Sequence, residues 1–417
     1  MIEQLCARFA IEGRVREAAL AAYRRTAGIS YEPQRVVQLN VLQAFLVEGL
    51  RESDLAGTTG YGYDDAARER YESLLAHVLG APRALARLAL VSGTHAIVAA
   101  IAACTARGRT LLSISGSPYD TLRNAICDAP HCLVNEGIVY REVALAPDGA
   151  FDLPAIGATL RELGDATVFI QRSRGYAPRR SLTIAECEGA IALVKSIAPQ
   201  ADVLVDNCYG ELVEEREPSH VGADLAMGSL IKNLGGSLAP AGAYVAGRAD
   251  LIERVAARVY APGLRDALGP TLGMGRAFVQ GLFLAPLIVE QSLRGLDFFA
   301  ALFAELGYTV DPAPGARRTD IVQAIRLGSA GLLQRFAAGL QDAMPINARF
   351  RPEPGPVPGY AEPVVMSSGA FVGGATIELS CDAPLRSPYE VYVQGGVSAA
   401  HAYLGALFAA RACAAES

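Results

Sequence analysis

Between residues 109 and 248 short apolar runs alternate with segments of helical period, and this alternation constrains the fold more than any other feature. RTLLSIS (109–115), GIVYREVAL (137–145), ATVFIQ (166–171), DVLVDN (202–207) and GAYVAGR (242–248) read as strands. Helix-like stretches such as TIAECEGAIALVKSIA (183–198) separate several of them. Parallel neighbours need a crossover, usually a helix, so the pattern predicts βαβ units and a mainly parallel sheet. Ligand loops then belong at the carboxyl ends of the strands. Upstream, IEQLCARFAIEGRVREAALAAYRR and QRVVQLNVLQAFLVEGLRE carry helical periodicity. The loop GTTGYGYDD (57–65) follows, where Asp64 or Asp65 can cap the next helix, ARERYESLLAHVLG.

Downstream, a long apolar helical region (277–307) is interrupted by Pro286. It leads to TDIVQAIRLG, a helix, the loop PEPGPVPGY (352–360) and ATIELSCD, which suggest a smaller α+β domain. The Pro-rich loop reads either as a linker or as an ordered border of the active site. The expected division is an N-terminal helical segment over 1–56, a large domain over 57–295 and a small domain over 296–417.

Charge and composition exclude several roles. A net charge of −6 over 417 residues offers no electrostatic case for nucleic acid or an anionic membrane. The most apolar run, AIVAAIAACTA (96–106), is too short to span a bilayer, and the start of the chain lacks the layout of a signal peptide. Eight cysteines without a CxxC pair read as reduced thiols of a cytoplasmic protein. The five histidines are scattered, so no metal site is expected.

Of 37 basic residues only Lys195 and Lys232 are lysine. Arginine stays charged, whereas lysine can become a neutral nucleophile. Lys195 sits in an ordinary helical stretch. Lys232 sits in GSLIKNLGGSLAPAGAYVAGR (228–248), whose small residues let a planar cofactor approach the backbone. A desolvated lysine has a lowered pKa, which frees its amine for a Schiff base. A surface lysine at a strand end is the plain alternative. Asp206, closing the apolar run VLVD, needs a cationic partner such as a protonated pyridine nitrogen, unless it only caps a turn with Asn207. Ser92, Gly93 and Thr94 open an apolar helix and suit a phosphate, although the same turn serves as an ordinary N-cap. Ser229 can add a hydroxyl to that phosphate, and Tyr119 can stack on a cofactor ring or simply fill the core.

In order and spacing this set resembles the fold type I pyridoxal-phosphate enzymes. TTGYGYDD, VSGTHA, SPYDTL, IQRSRGY, VDNCYGELVEEREP, GADLAMGSLIKN, QGLFLAP, RRTDIVQAI and PLRSPYEVYVQGG resemble one branch across nearly the whole chain. That branch is the methionine gamma-lyase-like family, also described as aluminium-resistance or cystathionine beta-lyase-like proteins. The resemblance implies a seven-stranded, mostly parallel sheet in a large domain and a smaller α+β C-terminal domain. It implies pyridoxal 5'-phosphate bound by Lys232, with Asp206 at the pyridine nitrogen and Tyr119 on the ring. Ser92, Gly93, Thr94 and Ser229 would hold the phosphate. Tyr61 and Tyr63 would reach the phosphate of an adjacent subunit, making the protein a homo-oligomer, dimer or tetramer. Arg386 is the candidate for the substrate α-carboxylate, and Arg172 and Arg174 are either further candidates or structural, paired with acids.

The implied reaction is elimination of a γ or β leaving group such as a thiolate from an L-amino acid, with Lys232 moving protons. A halide or other non-sulfur leaving group satisfies the same electronics. An aminotransferase would use the same lysine and aspartate, and a non-catalytic cofactor-binding protein would turn nothing over. Leu234 replaces the family's usual Pro, Ala243 a Gly, and Ala370 and Gly373 a Thr and a Gln. These departures bear on the substrate rather than on the cofactor.

Overall fold

Seven short strands make one sheet in the order β1-β7-β6-β5-β4-β2-β3. They are β1 (Arg83–Arg87), β2 (Thr110–Ser113), β3 (Val139–Glu142), β4 (Ala166–Gln171), β5 (Val203–Asp206), β6 (Leu225–Ser229) and β7 (Ala243–Gly247). The computed structural model describes residues 1–414. β3, β2, β4, β5 and β6 are parallel, while β7 pairs antiparallel with both β6 and β1. The core strands read as continuous apolar runs because helices cover both faces. Phe169, Leu204 and Met227 pack with the helix Gly93–Cys104 on one face. Val168, Val203 and Val205 pack with the helices Leu153–Leu163 and Ile184–Ile197 on the other.

The five anticipated strands are present, and two more join them. β1 is RALAR and β6 is LAMGS, neither with the β-branched content that marks a strand in sequence. Pairing on both sides with neighbours decides their state.

The chain divides into two compact units, one of residues Arg35–Ala285 and one of Met1–Gln34 together with the segment from Pro286 onward. The first helices, Ile2–Arg8 and Gly13–Thr26, thus belong with the C-terminal unit, whereas residues 35–56 belong with the sheet described above. Pro286 does not break its helix, which runs from Gly275 to Glu305. A proline inside a helix removes one hydrogen bond, and Leu282, Ala285 and Val289, on one face of the helix around it, are fully buried.

The second sheet, in the order β10-β11-β12-β9-β8, is wholly antiparallel. Its strands are β8 (Thr309–Asp311), β9 (Val322–Arg326), β10 (Val364–Ser368), β11 (Ser380–Pro384) and β12 (Glu390–Gln394). The Pro-rich loop 352–360 lies within this unit, where Gly355 bridges to Val364, so it links no two units. Among the described residues no helix is long and apolar enough to cross a membrane.

One ion pair anchors the second unit. Asp297 accepts from Tyr31 Oη and from Arg318 Nε, each at 2.6 Å, and all three residues are buried. Removing one partner strands the other charge in a poor solvent. Asp297→Ala should therefore cost about 3–5 kcal/mol of unfolding free energy, read from the shift of the urea midpoint of this unit.

Candidate active site

The parallel register brings three strand ends together. Gln171 of β4 lies opposite Asp206 of β5, Asp206 lies opposite Met227 of β6, and β6 ends at Ser229. The helix Gly93–Cys104 brings its N-terminus to the same edge. A Cβ on Gly93 would stand 3.2 Å from Cys208 Sγ and 3.4 Å from both Ser229 Cβ and Ser229 N. Glycine there lets the free N–H groups of the first turn come beside the Ser229 hydroxyl. Ser92 is the N-cap, its Oγ accepting from His95 N at 3.1 Å. Thr94 Oγ1 and Tyr119 Oη share a hydrogen bond of 2.6 Å, and the Tyr119 N–H donates to Gln171 Oε1 at 2.8 Å.

Asp206 is buried and accepts from the Cys208 N–H at 3.0 Å. Burial pulls its carboxyl toward the neutral form, against the Cys208 N–H and the charge of Lys232. Lys232 is half-buried, with Nζ 3.8 Å from the centroid of the Tyr209 ring. Burial alone would lower the pKa of its amine, as expected of a desolvated lysine. The surrounding Cys208, Tyr209, Asp206 and Tyr119 outweigh that and push it well above the ordinary lysine range. In the chain alone Lys232 is therefore a held cation and not a free amine. Lys195, the other lysine, is bonded to Asp224 at 2.6 Å and to Ala201 O at 2.7 Å.

Ser92, Gly93, Thr94, Tyr119, Asp206, Ser229 and Lys232 thus converge on one edge of the sheet. The other expected residues are three arginines and two tyrosines. Arg172 is buried with its donors committed: Nε to Leu182 O at 3.2 Å, Nη1 to Asn207 Oδ1 at 2.8 Å and Gly210 O at 3.0 Å, and Nη2 to Glu214. Its partners are the carbonyl of Leu182 and the loop after β5. Arg174 is buried, and its N–H donates to Ser181 Oγ at 3.1 Å. Arg386 belongs to the second unit, in the turn between β11 and β12, with Nη1 3.6 Å from Glu362.

Tyr61 and Tyr63 are 73% and 56% exposed, on a loop fixed from beneath by Asp65. The Asp65 carboxylate caps the helix Ala66–Val78 through Arg68 N, and also accepts from Thr58 and Thr271. Asp65, not Asp64, is the cap.

Two residues at the site had no assigned role in the sequence, Tyr209 and Asn233. Asn233 Nδ2 donates to Tyr209 O at 3.0 Å and to Glu211 O at 2.8 Å, which ties the segment after β6 to the loop after β5. Their adjacency to Gly210 and Lys232 was the only signal available.

A model described as methionine gamma-lyase matches residues 15–413. The chain belongs to the methionine gamma-lyase family. An uncharacterized protein of Bacillus subtilis, YnbB, is 41% identical over 394 residues, 93% of each chain. The crystal structure of a carbon-sulfur lyase involved in aluminum resistance from Clostridium novyi NT superposes with a TM-score of 0.93 at 38% identity, covering 98% of both chains. The methionine gamma lyase CalE6 of Micromonospora echinospora, at 19% identity over 82% of this chain and 85% of its own, shares the fold with a TM-score of 0.54. As a member of this family the protein is a fold type I, pyridoxal-phosphate-dependent lyase that eliminates a β or γ substituent from an amino acid. The residues at the strand ends fit that cofactor: an anion cradle opened by Gly93, a buried acid that lacks a full cationic partner, an aromatic ring and an amine.

Asp65 sets a pH test of the loop. Burial raises its pKa, but the hydrogen bonds from Thr271, Thr58 and Arg68 prevail and hold it at about 2, below its ordinary value of 3.8. A group depressed on folding contributes stability above its unfolded pKa and loses it as pH falls toward the folded one. The stability advantage of the wild type over Asp65→Asn should be full at pH 5 and shrink between pH 4 and about 2, as followed by denaturant midpoints.

Proposed function

We propose that the protein is a carbon–sulfur-type lyase whose L-amino-acid substrate loses a thiolate from Cγ or Cβ. The observation that supports this is the placement of the Lys232 amine near Asp206 and Ser229, at the ends of β5 and β6, beside the N-terminus of the Gly93 helix. When bound, pyridoxal phosphate supplies the electron sink that makes the substrate Cα–H acidic. The first-turn N–H groups at Gly93 and Thr94, with the hydroxyls of Thr94 and Ser229, would hold its phosphate. Asp206 would pair with the ring nitrogen, Tyr119 would lie against the ring, and Lys232 would hold the group covalently through Nζ.

Once free, the Lys232 amine takes the proton from Cα. For a γ substituent it also takes one from Cβ, and it returns a proton as the product forms. Arg386 is proposed to bind the α-carboxylate through its planar guanidinium. Arg172 is proposed to be structural, since its donors are already taken within the protein.

The working protein is proposed to be a homo-oligomer in the cytoplasm. On the helix Glu32–Glu48, Leu39, Leu42 and Leu46 share one face and are 64%, 41% and 74% exposed. A second copy of the chain is the partner proposed for this stripe, with Tyr61 and Tyr63 reaching the neighbour's phosphate site. The eight cysteines are all free, which suits a reducing compartment.

Sulfur-containing L-amino acids, offered one at a time to the cofactor-loaded protein, should release 2-oxo acid and thiol in equal amounts. Thiol-free transfer of the amino group would overturn the reading. Lys232→Ala should lose covalent cofactor capture and turnover while keeping its circular dichroism spectrum. Arg386→Ala should lower kcat/KM by roughly 100-fold or more, the loss of a charged hydrogen-bonded contact of about 3 kcal/mol. Leu39→Glu with Leu46→Glu should reduce the mass measured by light scattering.

A further inference from the structure

The amine on which the proposed function rests has a neighbour with no role in that mechanism. The Lys232 Nζ lies 3.8 Å from the centroid of the Tyr209 ring, well within the range at which a cation is drawn to a π face. The backbone of Tyr209 has φ +71, in the left-handed region that a non-glycine residue adopts only under constraint. Strain of this kind persists where the surroundings over-determine it, and it gathers at functional sites.

The surroundings here are explicit. Asn233, the residue after Lys232, donates to Tyr209 O at 3.0 Å and to Glu211 O at 2.8 Å. Arg172 holds Asn207 and Gly210 on either side of Tyr209, and the Glu217 carboxylate accepts from Asn207 Nδ2 and Leu212 N, each at 2.7 Å. Asn233, Arg172 and Glu217 thus fix a strained residue whose ring faces the amine. The segment 232–233 grips it twice, once through the Asn233 amide and once through the Lys232 cation.

We propose that Tyr209 is a positioning residue for Lys232, the face of its ring holding the amine at the ends of β5 and β6 and favouring its protonated form between proton transfers. The inference rests on the reading of Lys232 as the cofactor-binding lysine. Asp206, Cys208, Tyr119 and Glu211 also act on that amine, and Asp206 is the formal counter-charge. Cys208 is pushed well above the ordinary thiol range by burial and by Asp206, and Tyr119 is pushed up by burial and by Asp206, so both are neutral at neutral pH. The face of the Tyr209 ring attracts the cation through its quadrupole, at 3.8 Å from Nζ to the ring centroid.

The chain's composition makes the test simple, because it has only two lysines. With 15N-labelled lysine, the full-length protein freed of cofactor gives two side-chain signals, and Lys195, bonded to Asp224, serves as the internal reference. Tyr209→Leu should lower the Lys232 titration midpoint by roughly one pH unit, as expected for loss of a cation–π contact. Tyr209→Phe should leave the midpoint near the wild-type value, and Lys195 should not move in either. Fluorinated phenylalanines inserted site-specifically at position 209 weaken the ring face at nearly constant shape. They should lower the midpoint stepwise, and they serve if the leucine variant does not fold.

The rate of covalent capture of pyridoxal phosphate at fixed pH should rise as the midpoint falls. A wild-type midpoint in Tyr209→Leu, no response to fluorination, or a Tyr209→Phe that behaves like Tyr209→Leu would overturn the inference. Covalent capture that survives in Lys232→Ala would instead overturn the reading of Lys232, and the inference with it.

Discussion

The buried guanidinium of Arg172 is the constraint on which the geometry of the candidate site depends. It sits just past β4 and bonds forward into the loop after β5, at Asn207 and Gly210, while Glu214 balances its charge. Gly210 has no alternative there, because a Cβ would lie 2.4 Å from Arg172 Nη1. A buried cation is tolerated only when paired and fully bonded, and taking away one partner costs about 3–5 kcal/mol. The loop is therefore locked to β4, and the lock holds Asp206, Cys208 and Tyr209 around Lys232.

Three carboxyl groups, Asp206, Glu211 and Glu217, are buried around the site, and burial raises the pKa of each. Glu211 and Glu217 lie close by in the same loop, both fully or nearly buried. Burial raises Glu211 to about 8 and Glu217 to about 7, in spite of the Tyr244 hydroxyl 3.0 Å from Glu211 and the charge of Arg172 near Glu217. At neutral pH Glu211 is mostly a neutral acid and Glu217 is partly so. Neither therefore adds a full negative charge beside Asp206.

The layout of the large sheet was legible because β2, β3, β4, β5 and β7 are written in Val, Ile, Leu and Tyr, between helical segments. β1 and β6 were not, because RALAR and LAMGS owe their state to pairing rather than to local preference. Lys232 stood out through the rarity of lysine, and Asp206 through its place at the end of an apolar run. Arg172 was legible only as two possibilities, since nothing local says that Glu214, 42 residues on, is its partner. Tyr209 and Asn233 were illegible for the same reason: their roles exist only once the ends of β5 and β6 are side by side. A helix-breaking Pro286 was a sound local expectation that the buried residues around it override.

The loop at Tyr61 and Tyr63 carries this reasoning one step further. Its anchor Asp65 is buried, and the carboxylate spends its acceptor capacity on Thr58, Arg68 and Thr271. Gly269 N donates to Tyr61 O at 2.9 Å and Leu272 N to Thr58 O at 3.1 Å, so the loop is fastened to residues 269–272 along its length. All this order leaves two large aromatic rings mostly exposed, Tyr61 more than Tyr63. Ordering a loop loses conformational entropy that exposed rings do not recover in the isolated chain. The exposed leucines of the Glu32–Glu48 helix have the same deficit, in the same compact unit. A second copy of the chain, the partner proposed for the helix, would turn both deficits into contacts.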